Sequence, residues 1–153
     1  MLYLIDGNNV MGRKRTRQEL LSLLASFVYH KKAKVHVIFD GAPDPHHPEG
    51  SAYHGVKISY SQRGKDADSK IRNFVERASN PRQLTVVTSD RSLASYSKIH
   101  SVKHLETAEF LALIGEIKQK ETLQKQDNKP QVKGELKEWL RYFGFEPHEA
   151  DQD

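Results

Sequence analysis

Three apolar runs in the chain each stop at an aspartate: Leu2-Tyr3-Leu4-Ile5 before Asp6, Val35-His36-Val37-Ile38-Phe39 before Asp40, and Leu84-Thr85-Val86-Val87-Thr88-Ser89 before Asp90. Short runs rich in β-branched residues predict buried strands over 2–5, 35–39 and 84–88. Val56, Ile58 and Tyr60 alternate with polar residues and predict another strand, nearer a sheet edge, and Val102 to Leu105 predict a weak last one. Between the strands the apolar spacing becomes helical. Leu20, Leu21, Leu24, Phe27 and Val28 share one face over 17–29, and Ile71, Phe74, Val75 and Ala78 share one over 68–79. A short helix is expected over 91–97, and a longer one over 107–117 with Phe110, Leu111, Ile114 and Ile117 inward. Residues 41–55, dense in Pro and Gly, read as a loop.

Strands alternating with helices predict an α/β fold with a mostly parallel sheet. In such sheets the ligand crevice lies beyond the carboxyl ends of the strands, where Asp6, Asp40 and Asp90 fall. Residues 118–131 carry no apolar period and read as a helix extension or a linker. Val132, Leu136, Trp139, Leu140 and Phe143 then share a helical face that either packs on the domain or grips a partner. The organisation expected is a domain over 1–117 and a C-terminal helical extension with an acidic tail over 118–153.

Length and composition narrow the class. At 153 residues, 37% apolar and 29% charged, the chain fits one domain around one core. Its longest apolar stretches are far too short to span a membrane, and Met1 leads straight into a strand without a basic, signal-like start. With no cysteine, disulfides and thiolate metal sites are excluded, and a cytoplasmic protein is expected. The net charge of +4 is unevenly spread. Arg13, Lys14, Arg15, Arg17, Lys31, Lys32 and Lys34 face only Glu19 in the first helical region, whereas Glu146, Glu149, Asp151 and Asp153 end the chain. A basic zone beside an acidic pocket suits a polyanionic substrate.

The aspartates carry the chemistry. Carboxylates converging on one sheet edge either hold a hard cation such as Mg²⁺ or Mn²⁺ or raise one another's pKa at a cost in stability. Asp66 and Asp68, in Gly64-Lys65-Asp66-Ala67-Asp68-Ser69-Lys70-Ile71, open a helical pattern, and one of the two is expected to serve as its cap. Asp44 in Pro43-Asp44-Pro45 reads as a turn residue. Asp6-Gly7-Asn8-Asn9 reads as a tight turn that sets two amides behind a ligand. Ser89-Asp90-Arg91 flanks another ligand with a hydroxyl and a guanidinium. His36 reads as structural, His46 and His47 as an exposed loop pair, and Tyr53, Tyr60 and Tyr96 as packing residues more than base-stacking platforms.

Four segments together resemble the NYN domain in its YacP-like bacterial branch, within the PIN-like nuclease superfamily. They are Leu4-Ile5-Asp6-Gly7-Asn8-Asn9, Val37-Ile38-Phe39-Asp40-Gly41, Lys65-Asp66-Ala67-Asp68-Ser69-Lys70-Ile71 and Thr88-Ser89-Asp90-Arg91-Ser92-Leu93. The resemblance spans roughly 1–117 and implies a PIN-like three-layer α/β/α sandwich with a mostly parallel central sheet. It implies metal-dependent hydrolysis of RNA by an endoribonuclease, with Asp6, Asp40, Asp68 and Asp90 as catalytic metal ligands and Asp66 secondary. In line attack by a Mg²⁺- or Mn²⁺-activated water would leave a 5′-phosphate and a 3′-hydroxyl. Asn8 and Ser89 would orient ligands from behind. Lys65, Arg91, Arg13, Lys14 and Arg15 would meet the RNA backbone. The partner implied is RNA, single-stranded, messenger or structured. Some family members are tied to the ribosome, but their longer, more basic extensions differ from the acidic tail here.

Other classes fit less well. An inactive RNA-binding adaptor with the same fold would retain RNA without cutting it. A haloacid dehalogenase-type phosphatase needs a second Asp two residues after the first, where this chain has Asn8, and a receiver domain needs paired acids after the first strand.

Overall fold

The computed structural model describes residues 1–128, and the side-chain surroundings of residues 1–120. The helix expected over 132–143 and the acidic tail lie outside the described residues. Met1–Gly115 form one compact unit. The elements run β1 (Leu2–Asp6), α1 (Gly7–Met11), α2 (Arg17–Lys31), β2 (Lys34–Phe39), β3 (Ala52–Tyr53), β4 (Val56–Tyr60), α3 (Ala67–Arg77), β5 (Leu84–Val87), α4 (Arg91–Ile99), β6 (Lys103–Leu105) and α5 (Thr107–Asn128). Among the described residues no helix is long and apolar enough to cross a membrane.

The six strands form one sheet in the order β3-β4-β2-β1-β5-β6. Every neighbouring pair is parallel except β3 with β4. The chain therefore moves outward from β1 through β2 to β4 and then crosses back to β5 on the other side of β1. Right-handed crossovers require those two directions to use opposite faces of the sheet. Accordingly α3 and α4 cover one face, where Ile71, Val75 and Leu93 pack with Leu4, Ile38 and Val86. On the other face Phe27 of α2 and Phe110 of α5 stack against Tyr3, with ring centroids 5.0 and 6.3 Å from the tyrosine. The result is an α/β/α sandwich with a mostly parallel central sheet, as the sequence predicts.

Local signals explain most boundaries. Thr16 and Glu19 form a reciprocal capping box that starts α2. Asp66 caps α3 by accepting from the Ser69 N–H at 3.2 Å, so it, not Asp68, is the cap of the acidic pair. Three features go beyond the sequence pattern. First, β4 lies near the edge, as its pattern predicts, with only the two-residue β3 outside it, but the polar Ser59 is buried against His36, whose Nε2 lies 2.7 Å from the serine oxygen. Burial pushes the His36 pKa down to about 4, so the ring is neutral at pH 7 and acts as a core residue. Second, the Asp6-Gly7-Asn8-Asn9 segment forms helix α1 in place of a tight turn. A single turn is too short to show an apolar period. Third, of the two readings of the polar stretch after 117, helix extension holds: α5 continues to Asn128, where Glu, Gln and Lys supply helix propensity without an apolar stripe.

Gly7 is required by close approach. A Cβ there would lie 2.6 Å from the Phe39 ring and 2.9 Å from the Ile38 carbonyl oxygen. The Ile38 oxygen belongs to the backbone of β2 and cannot swing aside. Gly7→Ala is expected to destabilise the fold by about 1–3 kcal/mol, read from the urea denaturation midpoint.

Candidate active site

The register places β1 at the centre of the site. Ile5 pairs with Val37 on one side and Val87 on the other, and Asp6 lies opposite Ile38. The step after Ile5 therefore brings Asp6 beside Thr88, at the point between β1 and β5 where the strand order reverses. This is where open α/β sheets bind ligands. Thr88 Oγ1 donates to Asp6 Oδ2 at 3.0 Å and accepts from the Asp90 N–H at 3.1 Å. One buried hydroxyl thus joins the ends of β1 and β5.

Asp40 follows β2 and ties three elements. Its Oδ1 accepts from the Ala67 N–H at the start of α3 at 2.6 Å. Its own N–H donates to Asn8 Oδ1 at 3.1 Å. Its carbonyl accepts from Arg17 at 3.1 Å, and that guanidinium also covers the Phe39 and Tyr60 rings. Asn9 does comparable work on the other side. Its Oδ1 accepts from the Ser89 N–H at 2.9 Å, from Ser89 Oγ at 2.8 Å and from Thr107 Oγ1 at 2.7 Å. The two asparagines after Asp6 therefore pin the chain segments that follow β2 and β5.

Burial is the largest cause that pushes the Asp6 pKa from 3.8 up to about 6. The Thr88 hydrogen bond pulls the other way, and the charges of Asp40 and Asp68 push it higher. Asp6, Asp40 and Asp68 thus share one electrostatic neighbourhood. The remaining acids have other partners. Asp68 Oδ1 accepts from Arg72 Nε at 2.6 Å. Asp90 caps α4, accepting from the Ser92 N–H at 2.8 Å and the Leu93 N–H at 3.3 Å. Asp66 caps α3 and, with Ser61, Lys65, Ser69 and Lys70, lines a separate cavity of about 280 Å³. Among the described residues, no group of three or more His, Cys, Asp or Glu side chains is gathered tightly enough to hold a metal ion.

The basic residues sit in the segments that leave the strand ends. Arg13 and Lys14 are exposed between α1 and α2, and Arg15 is half-buried there. Lys65 precedes α3 and Arg91 opens α4, both exposed. His46 is exposed, whereas His47 packs its ring on Tyr53 and lies 3.2 Å from Gln18. Tyr60 is buried and donates to the His47 carbonyl at 2.6 Å. Thr88 and Arg72 are the site residues that sequence reasoning missed. Arg72 was detectable as an i,i+4 partner of Asp68. Thr88 lies inside a motif and meets the nearby Asp90 N–H, but its bond to Asp6 spans 82 residues. Asn9 reads from the sequence as an amide behind a ligand, and the fold supplies its partners Ser89 and Thr107.

The raised Asp6 pKa has a definite sign in stability. A carboxyl whose folded pKa exceeds its unfolded value adds stability that is fully present below pH 3.8 and lost as pH rises through about 6. At pH 7 the ionised group is a net cost, which Asn removes while still accepting from Thr88. Asp6→Asn is therefore expected to be about 1–2 kcal/mol more stable than wild type at pH 7, discounted for partial exposure, and nearly equal below pH 4. Chemical denaturation at the two pH values checks this.

The comparisons with known proteins agree with the fold. Two crystal structures of Rae1 (YacP) from Bacillus subtilis are similar in fold. One, of a point mutant, has a TM-score of 0.66 and 19% identity and covers 86% of each chain. The other has a TM-score of 0.65 and 22% identity and covers 94% of this chain and 92% of that one. No curated protein sequence matches the chain. The model of the YacP-like NYN domain matches residues 3–142. A match over nearly the whole chain makes this protein a member of the YacP-like NYN domain family.

Proposed function

We propose that the protein is a metal-dependent endoribonuclease. The observation that carries this reading is the electrostatic coupling of Asp6 to Asp40 and Asp68 at the reversal point of the sheet. The donor set is all oxygen, which suits Mg²⁺ or Mn²⁺, and Mg²⁺ usually takes one or two carboxylates and keeps several waters. A cation would also relieve the repulsion that raises Asp6. The residues therefore fit such an ion: Asp6 and Asp40 would hold it, with Asp68 and Asp90 completing the set and Asp66, whose side chain caps α3, secondary.

When bound, a divalent cation makes a coordinated water a stronger nucleophile and screens charge on the reacting phosphate. The chain supplies the rest. Thr88 holds the Asp6 carboxylate in place, and Asn8 and Ala67 hold Asp40. Asn9 ties down Ser89 beside Asp90. Arg13, Lys14, Arg15, Lys65 and Arg91 meet the RNA backbone as point charges around that pocket.

One observation favours a second reading, an RNA-binding adaptor that does not turn over. Asp68 is paired with Arg72, and Asp66 and Asp90 are committed to helix caps.

The test is to incubate the protein with single-stranded and structured RNAs in Mn²⁺ or EDTA, beside Asp6→Asn and Asp40→Asn. The nuclease reading expects cuts that need Mn²⁺, leave 5′-phosphates and fall about a hundredfold or more in both variants. RNA retained without cleavage in Mn²⁺ favours the adaptor. Apart from activity, Mn²⁺ is expected to raise the melting temperature of wild type and not of Asp6→Asn.

A further inference from the structure

Arg72 is held more firmly than a surface charge. Its Nε donates to Asp68 Oδ1 at 2.6 Å and its terminal amine to Ser92 Oγ at 2.8 Å. Its guanidinium carbon lies 4.7 Å from the centre of the Tyr96 ring, and the Tyr96 hydroxyl donates to Glu76. Ser92 belongs to the first turn of α4, which Asp90 caps. One cation thus spans the gap between α3 and α4, joining Asp68 to the helix start at Asp90. An exposed i,i+4 pair adds little to stability and fixes no geometry. Here the two side chains are only 32% and 25% exposed, and the guanidinium keeps two further anchors, Ser92 and Tyr96.

Resting on the metal-dependent reading above, we propose that Arg72 is an internal counter-cation: it holds Asp68 in the cation-free protein and yields that carboxylate when a divalent cation binds. Three physical points support it. Asp68 lies close enough to Asp6 for its charge to be felt there, yet it is turned onto Arg72. No cation-ready group of three carboxylates is gathered among the described residues, and the Arg72 pair is a direct reason for Asp68 to be withheld. Ser92 and Tyr96 anchor the guanidinium beside Asp68, so the competing charge is fixed in place and not free to swing away. Arg72 therefore opposes cation binding in two ways, by competing for the carboxylate and by placing a positive charge near the incoming ion. It sets a threshold of cation concentration for the site.

Calorimetric titration of Mn²⁺ into the full chain at pH 7.5 tests the proposal. Arg72→Gln is expected to bind Mn²⁺ about tenfold more tightly than wild type. Ser92→Ala, which loosens the same guanidinium and leaves the carboxylates intact, is expected to gain about two- to threefold. Asp68→Asn is expected to bind more weakly, and adding Arg72→Gln to it is expected to recover at most about twofold, because the group competed for is gone and only the nearby positive charge is removed. A folded Arg72→Gln with unchanged or weaker affinity overturns the proposal. So does a double variant that keeps the full tenfold gain. Should Arg72→Gln not fold, unchanged affinity in Ser92→Ala overturns it. A wild type that binds Mn²⁺ regardless of residue 72 sinks this inference alone, whereas a wild type that takes up no Mn²⁺ sinks the metal-dependent reading with it.

Discussion

The parallel pairing of β1 on both of its edges is the constraint from which the rest of the site follows. A strand bonded on one side only could slide, and a slip of one residue would turn every side chain to the opposite face. With β2 and β5 both in parallel register, Leu4 and Ile5 are held to their separate cores, and Asp6 must emerge beside Thr88. The strand order reverses at the same place, between β1 and β5. A half-buried carboxylate is thereby delivered to the strand ends at the reversal point, where open α/β sheets bind ligands.

Half-burial of an acid is a liability, and the surrounding residues can be understood as its management. Thr88 offers a hydrogen bond that favours the ionised form, while Asp40 and Asp68 oppose it. Asp40 is itself stabilised by the N–H at the start of α3, where the helix dipole also favours negative charge. Asp66 and Asp90 are absorbed by caps, and Asp68 by Arg72. The same acids thus do two kinds of work. They terminate strands and start helices, which makes the fold, and they concentrate negative potential at one edge, which makes a site.

The sequence made much of this legible. The strands ending at Asp6, Asp40 and Asp90 were readable because parallel strands buried on both faces appear as unbroken apolar runs. The helices over α2 and α3 were readable from period and caps. The β4 strand was rightly expected near an edge, but Ser59 looked solvent-facing, and only the fold could supply its buried partner His36. Helix α1 escaped notice because one turn carries no period. Among site residues, the aspartates and the amides after Asp6 stood out by position, whereas Thr88 was silent, since its bond to Asp6 joins residues 82 apart in the chain.

Local sequence alone determined which residue types would stand at strand ends, where helices would begin, and that the donors available at the sheet edge would be oxygen. Those outcomes depend on interactions within a few residues, on apolar period, turn chemistry and capping. Tertiary structure alone decided that burial raises Asp6 beside Thr88 and that Asp40 holds the start of α3. Both assignments depend on desolvation and on partners brought near by the sheet register. Such energies depend on distance through space, which the linear order of residues does not contain.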